Sequence, residues 1–327
     1  MDVPVRVCDV GGWTDTWFAG HGLVCSLAAA PGVSVHAWSQ PGDGEVTLDL
    51  ADYGLQVLAS SPPSEHALLA AAVAEAGAID GRDVVIGISS AVPPGSSLGT
   101  SAAICVGIIA ALDALRGTVR PADQLAAAAH RAEAGRLGRQ AGVQDQVAAA
   151  HGGASLIEII DYPRLERRAV GVARADWQAL DERLAHISYG APHDSSAVHD
   201  EVIATLGAEG PSAPHLEALR ALAAEACTAL RTGDLARYGR ALTSATAAQA
   251  ALHPALVSDD ARQLIELAST KGALGWKVNG AGGTGGSLSI LCHDPSDCHS
   301  VRAAARRLGH QPLDLHLAPF GATLTAH

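Results

Sequence analysis

The chain has 327 residues, 48% hydrophobic and 17% charged, which is enough for two domains or one large one with a buried core. Its net charge of −12, from 22 basic and 34 acidic residues, argues against a nucleic-acid or anionic-membrane partner. Six cysteines without CxxC spacing read as buried free thiols. The start Met1-Asp2-Val3-Pro4 carries neither a basic leader nor a long apolar run, so a cytoplasmic protein without a membrane span is expected.

The opening third reads as short strands, with apolar runs at 3–10 and 22–28 and period-two alternation at 33–38 and 44–50. Residues 64–77 form an alanine-rich helix that Ser64 is placed to cap. A strand at 84–88 delivers the chain to Pro93-Pro94-Gly95-Ser96-Ser97-Leu98-Gly99-Thr100-Ser101. That loop runs into a helix from about Thr100 to Leu115, closed by Arg116-Gly117. Further helical segments follow from Pro121 to Leu137 and over 142–153, then strands at 154–160, 167–172 and 184–188. Tyr189 to His199 reads as a mobile, substrate-facing loop. Long helices at about 213–231 and 234–252 break at Thr232-Gly233-Asp234, and another starts at Ser258. The tail alternates strand 276–278, strand 287–291, helix 300–308 and strand 313–317. The class is α+β with mixed sheets and no regular βαβ repeat, and a domain boundary is expected near residue 180.

Three segments combine glycine with functional side chains: Arg6 to Asp15, Pro93 to Ser101, and Lys277 to Gly286. The second gathers free backbone N–H groups, hydroxyls and the positive end of a helix, which together suit a phosphate. It lacks the lysine of GxxxxGK[ST], so backbone and hydroxyls must do the holding. The third contains Gly280-x-Gly282-x-x-Gly285. A dinucleotide fingerprint must lead into a helix, whereas Ser287 to Leu291 alternates like a strand, so a glycine hairpin pressed on a ligand or a neighbouring loop fits better. Lys277 stands just before it, one of only two lysines beside 20 arginines. His193, Asp194 and His199 are the densest histidine cluster, without HxH or HExxH spacing.

In order and spacing the three segments resemble the signature motifs of the GHMP small-molecule kinases, over residues 3 to about 290. The form Gly11-Gly12-Trp13-Thr14-Asp15-Thr16 is most similar to the fucokinase and heptose-phosphate kinase branch. The resemblance implies a two-domain GHMP kinase fold. Residues 1–180 would be like domain 2 of ribosomal protein S5, and 181–327 would be ferredoxin-like. It implies ATP and Mg²⁺ as cofactors, a small-molecule sugar substrate, and a monomer or homodimer. The nucleotide would be held by Pro93, Gly95, Ser96, Ser97, Gly99, Thr100 and Ser101, with Gly282 and Gly283. Ser101 and Glu133 would reach the metal. Asp145, in Gly142-Val143-Gln144-Asp145-Gln146, matches the catalytic aspartate, and Arg6 the arginine that pairs with it and lowers its pKa. Gly12, Trp13, Asp15, Gln144, His193 and Gly280 would surround the sugar.

Each position also has a plainer use. Ser101 and Asp145 suit helix caps, Glu133 a solvated helix face, Arg6 a surface ion pair, and Asp15 a turn. Gly12 and Trp13 replace the acidic residue and histidine of galactokinase-like members. Trp17-Phe18 replaces prolines of fucokinase-like ones. The expected activity is phosphoryl transfer from ATP to a monosaccharide hydroxyl, the anomeric one of a fucose-like sugar, a heptose or heptose 7-phosphate. A non-sugar alcohol as acceptor, or a non-catalytic sugar-binding regulator, are the alternatives.

Overall fold

The computed structural model describes residues 1–50, 54–190 and 195–325. Its elements in chain order are β1 (Asp2–Val10), β2 (Gly22–Pro41), β3 (Val46–Leu50), β4 (Leu55–Leu58), α1 (Ala67–Ala76), β5 (Arg82–Ser90), α2 (Thr100–Leu115), α3 (Ala122–His130), α4 (Gln144–His151), β6 (Ala154–Asp161) and β7 (Arg164–Ala169). There follow α5 (Arg174–Arg183), β8 (Leu184–Gly190), α6 (Ser195–Leu206), α7 (Pro214–Thr232), α8 (Leu235–Leu252), α9 (Asp259–Thr270), β9 (Gly275–Val278), β10 (Gly285–Leu291), α10 (Pro295–Arg307), β11 (Gln311–Leu313) and β12 (His316–Leu317).

The strands make two sheets, one mixed and one antiparallel. The first sheet runs β4-β3-β5-β2-β6-β7, with β1 and β12 also paired to β2. Only β3 and β5 are parallel among its described pairs. The second sheet, β11-β8-β10-β9, is antiparallel. In chain order its strands are the fourth, first, third and second, which is the ferredoxin-like arrangement. The apolar faces of α2, α4 and α7 pack on the first sheet in one large core, which α8 joins while lying against β9 of the second sheet, and α9 and α10 cover the second sheet in a smaller core.

Most expected elements are present with shifted ends. Asp234 caps α8 by accepting from Arg237 N, and Ser258 caps α9 by accepting from Ala261 N. Ser64 caps nothing. Ser64–His66 is a single tight turn entered from Pro63, and α1 starts at Ala67. The polar loop expected over 189–199 is shorter, because α6 starts at Ser195. α10 starts five residues earlier than expected, at Pro295, behind a reciprocal capping box of Asp294 and Asp297. All six cysteines are buried and free. Among the described residues no helix is long and apolar enough to cross a membrane.

Candidate active site

A cavity of about 480 Å³ opens where the N-terminal ends of α2 and α4, strand β1 and the β9–β10 hairpin converge. Gly95 to Ser101 form one wall. The loop reaches α2 through left-handed turns at Gly95, Ser97 and Gly99. Gly99 also has to be glycine for space, since a Cβ there would lie 2.7 Å from Asp145 Cγ. The open N-terminal turn of α2 is thus set directly against the Asp145 carboxyl. Ser96 uses its hydroxyl proton on Pro93 O, at 2.6 Å.

Asp145 is the second residue of α4 and is partly open to the cavity. Arg6 Nε donates to its Oδ1 at 2.8 Å, and Arg6 Nη1 donates to Asp9 Oδ1 at 3.1 Å. Arg6 is 2% exposed, so its end of the pair is buried while Asp145 faces the cavity. Burial opposes the guanidinium charge, but Asp145, Asp9 and Asp15 together push its pKa up.

Asp15 takes the capping place that Asp145 does not. Its Oδ2 accepts from the backbone N–H groups of Val143 and Gln144 at 3.0 and 3.1 Å, and its Oδ1 from Gln144 Nε2 at 3.3 Å. Burial raises its pKa to about 6. The Gln144 N–H and Arg6 oppose that rise, and Asp145 adds to it.

Glu133 lies in a π-helical continuation of α3, Arg131–Arg136, a local widening often found at functional sites. Gln146 Nε2 donates to its Oε2 at 2.9 Å, and the Ser101 hydroxyl also bonds to it. The carboxyl is 8% exposed. Burial, then repulsion from Asp145, raises its pKa, with Ser101, Arg139 and Gln146 opposing. The Glu133 carboxylate thus has no cation hydrogen-bonded to it among the described residues, the Ser101 hydroxyl is a second oxygen beside it, and Gln146 Oε1 is buried without a partner. Such a set fits a hard divalent cation.

Residues 66–153 match the family described as GHMP kinases N terminal domain. Over those residues the chain is similar to a GHMP kinase N-terminal domain. It is 25% identical over 221 residues to a D-glycero-alpha-D-manno-heptose 7-phosphate kinase of Campylobacter jejuni, a match covering 67% of this chain. The chain spans 63% of that relative's length. Among solved structures it is similar to a D-glycero-D-manno-heptose 1-phosphate kinase from Bacteriodes thetaiotaomicron, with TM-score 0.74 and 16% identity, covering 99% of both chains. It is also similar to Streptococcus pneumoniae phosphomevalonate kinase in complex with phosphomevalonate and AMPPNP, with TM-score 0.75 and 14% identity, covering 97% of this chain and 99% of that one. The mixed α/β fold of the GHMP kinases is therefore that of the whole chain.

Within this fold the cavity brings together Arg6, Trp13, Asp15, Gly95, Ser96, Ser97, Gly99, Thr100, Ser101, Glu133, Gln144, Asp145 and Gly280 from the residues the sequence singled out. Others lie elsewhere. Gly12 stands behind the wall, where a Cβ would come 2.5 Å from Asp9 Oδ2. Gly282 and Gly283 do not line the cavity. Gly283 N bonds to Leu256 O, and Gly282 packs so close to the same carbonyl that a Cβ would sit 2.0 Å from it. Pro93 lines a second, smaller cavity instead. His193 and Asp194 are outside the described residues. Among those described, the one cluster of three His and acidic groups is His293, Asp294 and Asp297, and its two aspartates already serve the α10 cap.

Sequence reasoning passed over Asp9, Thr16, Arg139, Gln140, Gln249 and Asn279. Asp9 is fully buried between Arg6 and Lys277, and Lys277 itself is 1% exposed. Burial lowers the Lys277 pKa, against the pull of Asp9. The scarcity of lysine was the available signal for that position.

Proposed function

We propose that the protein is an ATP- and Mg²⁺-dependent kinase that phosphorylates a monosaccharide hydroxyl, the anomeric one of a fucose-like sugar, a heptose or heptose 7-phosphate. The observation that carries this reading is the Arg6–Asp145 pair held against Gly99 at the open start of α2, inside one cavity. Phosphoryl transfer needs the donor phosphate and the acceptor hydroxyl fixed in line, with charge stabilised as it moves. The loop amides and the hydroxyls of Ser97, Thr100 and Ser101 suit the triphosphate. Asp145 is the group placed to orient the acceptor hydroxyl and take its proton as the new O–P bond forms and the bond to ADP breaks. Arg6 keeps that carboxylate aimed at the cavity. Ser101 and Glu133 would hold Mg²⁺, which when bound supplies charge neutralisation across the phosphates. Trp13, Asp15 and Gln144 form the acceptor end, where the Trp13 ring packs beside Phe18 at 6.2 Å between centroids. The same reading divides the chain into a nucleotide-binding part, 1–180, and a C-terminal part, 181–327.

The sugar-type Gly-Gly-Trp-Thr-Asp segment and the curated heptose 7-phosphate kinase relative support a sugar over a non-sugar alcohol. The test is an ATP-consumption screen over free sugars, sugar phosphates and non-sugar alcohols, with product regiochemistry read by phosphorus NMR. Turnover with one sugar class, abolished in Asp145→Asn while nucleotide still binds, is the expected outcome. Full activity in Asp145→Asn removes that residue from the mechanism. No turnover with any sugar overturns the sugar-kinase reading.

A further inference from the structure

Arg6 and Asp9 are three apart on β1, and in a regular strand such side chains point to opposite faces. They meet here because β1 is not regular. Its ladder with β2 changes register between Val7 and Val10. Between them Cys8 adopts the left-handed region at φ 54°, which is strained for any residue but glycine. The Cys8 N–H is held there by Asn279 Oδ1 at 2.9 Å. The kink returns Asp9 to the face of Arg6.

Around the Asp9 carboxylate, Arg6 Nη1 donates at 3.1 Å and Gly280 N donates to both oxygens at 3.1 and 3.2 Å. Lys277 Nζ is 3.6 Å away. Lys277 in turn donates to Gln249 Oε1 at 2.7 Å and to Val278 O, and Gln249 Nε2 donates to Gly280 O at 3.0 Å. The Gly280 peptide, on the cavity wall, is thus gripped at both ends by one buried network. Arg6 and Lys277 balance Asp9 and Asp145, two charges of each sign, so removing any one of them alone leaves an unbalanced charge in the cluster.

We propose that Asp9, with Lys277, is a positioning residue. It fixes the far arm of Arg6 so that Nε faces Asp145, and it fixes Gly280 beside the phosphate loop. This rests on the kinase reading above. A misplacement of about 1 Å in such a support costs roughly 10²-fold in rate, and backbone strain at Cys8 marks where the fold secures that placement.

The test uses the full chain and three variants, with kcat, both KM values and the thermal midpoint measured on each. Asp9→Ala/Lys277→Met keeps the buried charges balanced. We expect its kcat to fall about 10²-fold well below its unfolding temperature, with the KM for ATP within about threefold. Asp9→Asn/Lys277→Met restores an acceptor for Arg6 and is expected to recover about tenfold of that loss. Gly12→Ala leaves every charge in place but drives a methyl at the Asp9 carboxylate, and kcat should fall without a matching rise in the KM for ATP. A wild-type kcat in the first variant, or losses in all three that track only the thermal midpoint, overturns the positioning role while the kinase reading stands. Wild-type protein inert towards every alcohol tested overturns both.

Discussion

Asp145 and Glu133 face the same cavity, yet their surroundings differ in kind. Asp145 has a cation supplied by the fold, Arg6 at 2.8 Å, and keeps 29% of its side chain exposed. Glu133 is more deeply buried and, among the described residues, takes its side-chain hydrogen bonds from neutral donors, Ser101 and Gln146, with burial raising its pKa. A carboxylate with a built-in counter-charge is held ready in one orientation. One without it is stored at a cost in desolvation until a cation arrives. The comparison therefore assigns the two acids opposite dependences, and each can be tested by removing what its neighbour has.

The largest effect is expected from Arg6→Gln. It leaves Asp9 buried with no cation except Lys277 and takes the partner from Asp145, so a loss of about 3–5 kcal/mol of stability should accompany loss of turnover. Chemical denaturation and the ATP-consumption assay read the two together. Retained stability would mean that water already screens the cluster. Glu133→Gln should do the reverse. Turnover should fall by on the order of 10²-fold and should not be recovered by raising Mg²⁺, while the thermal midpoint stays level or rises because a buried charge has gone. A fall in midpoint would show that Glu133 stabilises the fold, and would break the contrast with Asp145.

How far the sequence carries such a comparison depends on whether the determinants are local. Gly95, Gly99, Ser101 and Asp145 sit in contiguous motifs whose glycine and helix-start patterns survive into the structure. α2 ends where Arg116-Gly117 places it. Asp9 could not be found this way, because strand alternation assigns it to the wrong face and only the left-handed Cys8 reverses that. Gly282 and Gly283 looked like ligand glycines, but their constraint comes from the carbonyl of Leu256, some 26 residues earlier in sequence. α5 escaped notice because only Leu180 of its ten residues is buried, so the helix has almost no apolar stripe. β4 likewise buries a single residue, Val57, and alternation over four residues gives little signal.

Asp15 lies between the two cases and gives the smallest, most discriminating prediction. Its counter-charge is partial: the backbone N–H groups of Val143 and Gln144 at the start of α4. These do not fully offset burial, and its pKa stands at about 6 against an ordinary 3.8. As pH falls through about 6 the carboxyl takes up a proton and loses an acceptor site that faces the cavity. The KM for the sugar should rise over that window while nucleotide affinity holds, and Asp15→Asn should show the high KM at every pH. Stability should move the other way. A carboxyl whose folded pKa is raised contributes to stability fully below its unfolded value, near 3.8, and that contribution is lost as pH rises through about 6. Between pH 6 and 4 the wild type should therefore gain stability relative to Asp15→Asn even as it loses affinity for the sugar. Parallel trends in the two measurements would instead mean that Asp15 serves α4 alone and takes no part in holding the acceptor.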